Sequence, residues 1–408
     1  MRNFRQNYDA IREARGEEGR YCYGTPLTGE PGKKNLDKFR GCLIGGAAGD
    51  ALGYAVEFLG ESYIFAKFGR QGITEYRLRG GKARISDDTQ MTLFTANALL
   101  YATTRGHMRG ILGPYPTYIY KAYQEWYKTQ IESFDHANRK FISCWLMNVP
   151  GIFAERAPGN TCMSAINSGM AGSIEHPINN SKGCGGVMRV APIGLYFGES
   201  QMAPLAVDLL GADAAAITHG HEMGYIPAAM LVHIVRLVSH SNDISLKAAV
   251  QDAMDAMERL FPDAEDLPEF LKLINRAVQL SESDKDDLTA IHALGAGWVG
   301  DEALAIAVYC ALKYEDDFDK ALIAAVNHDG DSDSTGAITG NILGAYLGLS
   351  KIPQKYIDNL ELADVIMELA DDLFYDCQID EYSSLESRED QDWYHKYVDI
   401  TYRRNETR

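Results

Sequence analysis

The sequence of 408 residues predicts an all-α protein with one large domain and an extension at each end. Apolar residues recur at helical spacing in well over ten segments, as is typical of packed amphipathic helices. No segment shows a convincing alternation of polar and apolar residues, which would indicate a half-buried β-strand. Because short connections separate the helical segments, we expect a single helical domain over residues 37–375. Residues 1–36 would then form an N-terminal extension, and residues 376–408 a charged C-terminal tail.

Composition narrows the class of protein. Hydrophobic residues make up 46% of the chain and charged residues 24%, as in a globular protein with a sizeable core. Acidic residues outnumber basic ones by 57 to 39, and this balance argues against non-specific binding to nucleic acid. The seven cysteines form no Cys-x-x-Cys pair, so neither a disulfide framework nor a zinc ribbon is indicated. No apolar run approaches the roughly 20 residues that span a bilayer. We expect a cytoplasmic protein without membrane association.

The N-terminal extension is polar and has no apolar signal segment. Its pattern predicts a short helix near Tyr8 to Arg15, followed by a linker that contains glycine and proline. We expect the main domain to begin where the character of the sequence changes, near Leu36.

A glycine series marks the first helix of the main domain. Its members recur every four residues and therefore lie on one helical stripe: Gly41, Gly45, Gly49 and Gly53. Each glycine inside a helix costs about 1 kcal/mol relative to alanine, so the stripe should pack closely against a partner. Glu57 follows near the expected end of this helix at Gly60. A glutamate on an almost uncharged helix indicates a partner or a function.

The segment ISDDTQMTL predicts the start of the next helix. Ser86 or Asp87 can serve as the N-cap, and Gln90 can complete a capping box. Asp87 and Asp88 also suit the positive end of a helix dipole, so a well-capped helix without further function is the simpler alternative.

The central part of the chain holds a possible ligand loop. Gly183, Gly185 and Gly186 permit a tight loop whose amides can approach a phosphate or a sugar. His219 and His221 flank a glycine at a later junction between helical segments. Neither feature identifies a ligand by itself.

The segment HDGDSDST, residues 328–335, is a second acidic motif. A second glycine series follows it at the same spacing of four: Gly336, Gly340, Gly344 and Gly348. The two glycine-striped helices are natural packing partners, because glycine lets helix backbones approach closely. Carboxylates before a deeply packed helix favour a metal site with oxygen ligands, and an acidic surface turn is the alternative.

Three kinds of site can be tested against the second motif. An EF-hand loop that begins at Asp329 would need glycine and glutamate where Ser334 and Gly340 stand, so that interpretation fails. The string Asp331-x-Asp333-x-Thr335 resembles the nucleophile motif of haloacid-dehalogenase-type phosphatases. That motif should end an apolar strand of an α/β fold, whereas a helical pattern precedes it here. A metal-dependent phosphohydrolase stays as an alternative.

The third kind of site combines the two acidic motifs. Asp87, Asp88, Asp331 and Asp333 carry four negative charges, which two divalent cations would offset. With hydroxyl oxygens from Ser86 and Ser334, the set suits Mg²⁺, or Mn²⁺ in its place, rather than zinc. A dinuclear site of this kind can activate water. Glu57 would then be available as a general acid or base.

Five blocks of the sequence together resemble the ADP-ribosylglycohydrolases, a family that includes the ADP-ribosyl-acceptor hydrolases. In chain order they are GCLIGGAAGDALGYAVEF, ISDDTQMTL, SKGCGGVMRVAPIG, ITHGHEMGY and HDGDSDSTGAITGNILGAYLG. The resemblance covers residues 37 to 373. It implies an orthogonal all-α fold, a dinuclear Mg²⁺ site and hydrolysis of the N- or O-glycosidic bond between ADP-ribose and a modified side chain.

The resemblance also implies roles for single residues. Two groups would hold the metal ions: Ser86, Asp87 and Asp88, and Asp331, Asp333 and Ser334. Glu57, together with Asp88 and Asp333, is expected in catalysis. The residues expected to bind ADP-ribose are Ser181, Lys182, Gly183, Cys184, Gly185, Gly186 and His219.

Some positions depart from the family pattern. Asparagine is common where Cys184 stands, and tyrosine where Lys182 stands, which leaves the acceptor linkage open. Serine replaces the more common threonine at Ser86 and Ser334, but it keeps the hydroxyl that a metal ion needs.

We expect a hydrolase that acts on ADP-ribosylated protein, with arginine linkages favoured. One alternative is a hydrolase of another ADP-ribose conjugate, with a serine, O-acetyl or nucleic-acid acceptor. The other is a non-catalytic or dual-role protein that binds ADP-ribose or a partner. A toxin-immunity protein whose N-terminal extension contacts a toxin would be of this kind.

Overall fold

The computed structural model describes residues 9–15, 34–137, 139–198 and 201–403. These residues form 17 α-helices and five short 3-10 helices, and among them only isolated β-bridges occur, so the predicted all-α class is confirmed. The α-helices are α1 (Asp9–Arg15), α2 (Leu36–Gly53), α3 (Glu61–Phe68), α4 (Asp87–Arg109), α5 (Tyr115–Ile131), α6 (Asn160–Asn167), α7 (Ala191–Tyr196), α8 (Pro204–Ala216), α9 (Glu222–His240), α10 (Leu246–Leu260), α11 (Leu267–Ser281), α12 (Asp287–His292), α13 (Gly300–Lys313), α14 (Phe318–Val326), α15 (Ser332–Leu347), α16 (Ala363–Tyr375) and α17 (Arg388–Tyr397).

The two glycine-striped helices, α2 and α15, pack directly against each other. A Cβ added at Gly49 would lie 1.9 Å from the carbonyl oxygen of Gly336, and one added at Gly340 would lie 1.9 Å from that of Gly45. The Asn341 side chain also donates a hydrogen bond of 2.9 Å to the Cys42 carbonyl. No side chain larger than hydrogen fits at these crossing points, so the predicted pairing of the two series is confirmed.

The register of this pairing is antiparallel. Gly41 lies against Gly344 at one end of the contact, and Gly53 lies against Ser332 at the other. The last turn of α2 therefore meets the first turn of α15. This places the segment after α2 beside the second acidic motif.

The end of α2 differs from the prediction. The helix stops at Gly53 rather than continuing to Gly60, and residues 54–59 form successive turns. The Val56 amide donates to the Gly53 carbonyl at 2.8 Å, and the Leu59 amide donates to the Val56 carbonyl at 2.8 Å. Glu57 therefore lies on a turn, which directs the chain across the start of α15 instead of beyond it.

The start of α4 follows the prediction in part. Ser86 is the N-cap, and its hydroxyl accepts from the Asp88 amide at 3.2 Å. The predicted capping box is wrong, because the Gln90 side chain points into the core. Its amide donates to the Ile152 carbonyl at 3.2 Å, and its oxygen accepts from Trp126 Nε1 at 3.2 Å.

Helix α9 lies at the centre of the domain, against α7, α8, α10, α13 and α15. Within the described ranges it is the one helix that length and composition would allow to cross a membrane. However, 89% of its apolar stretch is buried inside the protein, as is typical of a core helix.

Both ends of the described chain contact the domain. The predicted N-terminal helix is present as α1, where Ile11 is buried and Arg15 pairs with Asp213 at 2.5 Å and also with Glu175. In the tail, Trp393 Nε1 donates to Thr104 Oγ1 at 3.0 Å. The buried Lys396 pairs with Asp372 at 2.9 Å. The linker over residues 16–33 lies outside the described residues.

Replacing Gly340 by alanine tests the helix contact. The new methyl group would meet the Gly45 carbonyl oxygen, so we expect the variant to lose about 2–3 kcal/mol of unfolding free energy. Urea denaturation followed by circular dichroism, with EDTA present to remove any effect of cations, measures the loss. Gly159→Ala is the matched control, since a Cβ there meets no atom within 4 Å. Equal midpoints for the two variants would contradict the close contact.

Candidate active site

Three carboxylates meet where α2 and α15 converge. One oxygen each from Glu57, Asp331 and Asp333 lies within 4.8 Å of the other two. All three side chains are buried, with exposed fractions of 8%, 5% and 3%. Glu57 arrives on the turn after α2, whereas the two aspartates belong to the first turn of α15 and its cap. Because hard divalent cations bind clustered carboxylates, this geometry is suited to a metal ion.

The first acidic motif enters the same region at the start of α4. Asp87 accepts from the Gly159 amide at 3.2 Å, and Asp88 lies close enough to Asp331 and Ser334 to interact with both. Both aspartates are buried. The structure therefore brings together the two acidic motifs that the sequence analysis combined.

A further aspartate, Asp50 on α2, fixes the position of the first motif. Its fully buried carboxylate accepts from the Ser86 amide at 2.9 Å and from the Thr89 amide at 3.1 Å. The Thr89 hydroxyl donates to it as well. The sequence prediction gave Asp50 no role, although it is the one charged residue in the glycine-rich part of α2, residues 41–53.

The second motif is ordered by its own backbone. Asp331 is the N-cap of α15 and accepts from the Ser334 amide at 3.3 Å, while Asp333 accepts from the same amide at 3.0 Å. Asp329 is exposed and lies apart from these two side chains. It accepts from the Glu61 amide and thereby caps α3.

Among the residues that the structure describes, the acidic side chains of this site form no ion pair with a basic side chain, so negative charge accumulates there. Burial, followed by repulsion from Asp331 and Asp87, raises the pKa of Glu57 to about 8. Burial also raises the pKa of Asp87 to about 8. The pKa of Asp88 and that of Asp333 are raised well above the ordinary range by burial and by neighbouring carboxylates.

Two oxygens in the cluster lack partners. Within the described part of the chain, Glu57 Oε2 and Asp88 Oδ2 are buried and accept no hydrogen bond. A buried carboxylate oxygen without a donor is costly unless a cation binds it. The oxygen donors, their burial and these unpartnered atoms therefore fit divalent cations such as Mg²⁺.

The predicted substrate loop, residues 181–186, touches the acidic cluster through Cys184. Its thiol donates to Asp331 Oδ2 at 2.7 Å, and the Ser334 hydroxyl donates to its sulfur at 3.5 Å. Two backbone hydrogen bonds fix the loop to the segment at the start of α13. The Cys184 amide donates to the Trp298 carbonyl at 3.2 Å, and the Gly300 amide donates to the Lys182 carbonyl at 2.9 Å.

His219 lies directly behind this loop. A Cβ added at Gly183 would lie 3.3 Å from its Nε2 atom, and one added at Gly185 would lie 3.1 Å from its Cε1 atom. Burial and the nearby Arg189 lower the pKa of His219 to about 3, so the ring is neutral. The Thr218 hydroxyl lies 2.8 Å from Nδ1.

The other predicted loop residues differ in exposure. Ser181 is partly buried, and its hydroxyl lies 3.1 Å from that of Thr161, whereas Lys182 is exposed. Gly186 is buried, and a Cβ there would lie 2.4 Å from the Gly224 carbonyl oxygen. His221, the second histidine of the junction, caps α9 by accepting from the Met223 amide at 3.0 Å.

Comparison with known proteins identifies the family. The family model for ADP-ribosylglycohydrolase matches residues 31–382. The chain belongs to the ADP-ribosylglycohydrolase family. A solved structure described as an ADP-ribosylglycohydrolase-related protein complex has a TM-score of 0.53 and 23% identity, and the match covers 84% of this chain and 99% of that one. This likeness supports the predicted fold.

Several curated relatives have similar lengths. ADP-ribosylarginine hydrolase Tri1 of Serratia proteamaculans is 27% identical over 360 residues, covering 86% of this chain and 82% of its own. ADP-ribosylhydrolase ARH3 of Gallus gallus is 25% identical, and the match covers 82% of this chain and 92% of its own. ADP-ribosyl-[dinitrogen reductase] glycohydrolase of Rhodospirillum rubrum is 25% identical, and the match covers 80% of this chain and 91% of its own. The resemblance found in the sequence is confirmed, as is the enzyme class, a hydrolase of ADP-ribose conjugates.

The electrostatics of the site predict how stability depends on pH. With cations removed by EDTA, Glu57 and Asp87 bind protons more tightly in the folded protein than in the unfolded chain. Their contribution to stability is therefore complete below the unfolded pKa values and is lost as pH rises towards 8. We expect the melting temperature in EDTA to fall between pH 5 and pH 8. Differential scanning calorimetry measures the melting temperature at each pH. The fall should be smaller for Glu57→Gln, because this variant lacks one of the two titrating groups.

Divalent cations should reverse this loss. At pH 8, Mg²⁺ binding to the native state should raise the melting temperature, with a gain that increases with Mg²⁺ concentration. The double variant Asp331→Asn/Asp333→Asn should show no such gain in the same calorimetric titration. A Mg²⁺-dependent gain that survives in the double variant would contradict the assignment of cations to this cluster.

Proposed function

We propose that this chain is a Mg²⁺-dependent hydrolase that removes ADP-ribose from modified arginine side chains of proteins. The observation that carries the proposal is the meeting of Glu57 with both acidic motifs in one buried site that has unpartnered carboxylate oxygens. The arginine linkage is supported by the Serratia proteamaculans relative, which is named ADP-ribosylarginine hydrolase Tri1.

Six side chains would hold two Mg²⁺ ions, for which Mn²⁺ can substitute. Asp87, Asp88 and Ser86 come from the start of α4, and Asp331, Asp333 and Ser334 from the start of α15. When bound, the cations supply Lewis acidity and offset the negative charge of the four aspartates. Asp50 orients the first group without belonging to it, because its carboxylate is already occupied by Ser86 and Thr89.

Glu57 is suited to proton transfer. Its carboxylate is buried beside the cluster, and its Oε2 atom accepts no hydrogen bond within the described residues. In the hydrolysis, the oxygen of water bonds to the anomeric carbon of ribose and the carbon–nitrogen bond to the acceptor breaks. We assign Glu57 to take the proton of the water and to return a proton to the departing guanidine. Asp88 and Asp333 would assist by holding the reacting groups in place.

The loop of residues 181–186 would bind the ADP-ribose portion. Its glycines lie so close to His219 that side chains there would fill the space in front of the ring. The neutral His219 ring offers hydrogen bonds without adding charge to the site. The Ser181 hydroxyl and the loop amides supply further donors that suit phosphate and ribose oxygens.

Substituting Glu57 by glutamine tests its assigned role. The variant keeps the size of the side chain and loses the proton-accepting group, so we expect kcat to fall at least about 100-fold. The rate is measured by chromatography of the free ADP-ribose that is released from an ADP-ribosylarginine peptide. Glu61→Gln is a matched control, since Glu61 is a nearby acid at the start of α3 that pairs with His292. Retention of full activity by Glu57→Gln would refute the assignment.

The metal requirement and the linkage need a separate comparison. The wild-type protein is incubated with arginine-linked and serine-linked substrates, in Mg²⁺, in Mn²⁺ and in EDTA. We expect release from the arginine linkage in either metal ion and none in EDTA. Release from serine alone would reject the arginine linkage, and full activity after chelation would reject the metal requirement.

A further inference from the structure

Two exposed aromatic rings stack on each other beside the acidic site. Phe58 is 72% exposed and Trp298 is 44% exposed, although both are large apolar side chains. Their ring centroids lie 6.3 Å apart, and the ring planes differ by only 21°. The catalytic roles proposed above use neither ring. A near-parallel aromatic pair that stays open to solvent is suited to binding a flat group.

Both rings are attached to backbone that builds the site. Phe58 directly follows Glu57, so their Cα atoms are about 3.8 Å apart. The Trp298 carbonyl accepts from the Cys184 amide at 3.2 Å. The preceding residue, Gly297, is so close to the second motif that a Cβ on it would lie 2.8 Å from Thr335 Cγ2 and 3.6 Å from Asp331 Cβ. The pair therefore lies next to the carboxylates and not on a remote surface.

The centroid distance of 6.3 Å is within the range of two aromatic rings that stack on each other. A planar group in van der Waals contact with a ring on each side needs a separation of about 7 Å. Because Phe58 is mostly exposed, its side chain can rotate away from Trp298 and open the pair to that separation.

We propose that Phe58 and Trp298 form an aromatic slot that holds the guanidinium group of the acceptor arginine during hydrolysis. The inference rests on the proposed function and names the residues that determine its linkage specificity. A guanidinium is planar and cationic, so it gains cation–π attraction from a ring on each face. The carboxylate of Glu57, which is not among the proposed metal ligands, lies next to this rim and favours a cation there.

The position of Phe58 favours the acceptor over the adenine of the substrate. Glu57 is assigned to the bond that breaks, and Phe58 is its immediate neighbour. Adenine is separated from that bond by two riboses and a pyrophosphate. The acceptor is instead attached directly to the anomeric carbon and must extend towards solvent, because a protein is joined to it. The exposed rings lie where that side chain has to leave the site.

Variants of the two rings test the slot. With an ADP-ribosylarginine peptide, Phe58→Ala and Trp298→Ala should each raise KM roughly tenfold, since a cation–π contact in a partly desolvated site is worth about one factor of ten in binding. We expect kcat to change little, because the lost contact stabilises bound substrate and transition state alike. The conservative variants Phe58→Tyr and Trp298→Phe should restore KM. Phe141→Ala, which removes an aromatic ring that is 95% exposed, is the matched control.

Inhibition by free ADP-ribose identifies the group in the slot. ADP-ribose lacks the acceptor, so its inhibition constant should be the same in wild type, Phe58→Ala and Trp298→Ala. An equal weakening of ADP-ribose and substrate would place adenine or ribose between the rings and overturn the inference. Unchanged KM in both alanine variants would overturn it as well. A wild-type protein that does not cleave the arginine linkage would instead reject the proposed function, which this assay shows before any variant is compared.

Discussion

The backbone contact between α2 and α15 is the constraint on which the site depends. Glycines at every fourth position let the two helices approach until the carbonyl of one turn fills the place of a missing side chain on the other. The antiparallel register then decides which ends of the helices coincide. Because the end of α2 meets the start of α15, Asp50, Glu57 and the second acidic motif come together in one region. A shift by one helical turn would move these groups apart by about 5.4 Å.

The acidic site gathers several buried carboxylates in one place. Some buried charges outside it have ion-pair partners, as Lys396 has with Asp372, or Arg156 with Glu361. In the site, carboxylates face one another, and burial together with their repulsion raises the pKa of Glu57 to about 8. Such an arrangement persists because the rigid helix pair around it holds the side chains in place. A preorganised set of negative oxygens binds a cation without first paying the entropy of assembling it.

Much of the fold could be predicted from the sequence, because its main signals are local or periodic. Helical periodicity gave the all-α class, and the two glycine series indicated their own pairing. The errors came from contacts that no local pattern encodes. Gln90 was expected to cap its helix, but the buried Trp126 and the Ile152 carbonyl bind it instead. Asp50 was overlooked because its partners, Ser86 and Thr89, lie on another helix. At the end of α2, Gly53 packs closely against Ser332 of α15, a contact that the local sequence does not encode.

The distance along the chain between α2 and α15 has a consequence for synthesis. Asn341 and Cys42, which are hydrogen-bonded across the contact, are 299 residues apart in sequence. A ribosome must therefore add 299 residues after Cys42 before α2 can meet Asn341 of α15. Until then, the glycine stripe of α2 lacks its native partner, and closing so long a loop is slow. The nascent chain thus stays without the complete acidic site until residues 331–334 have been translated.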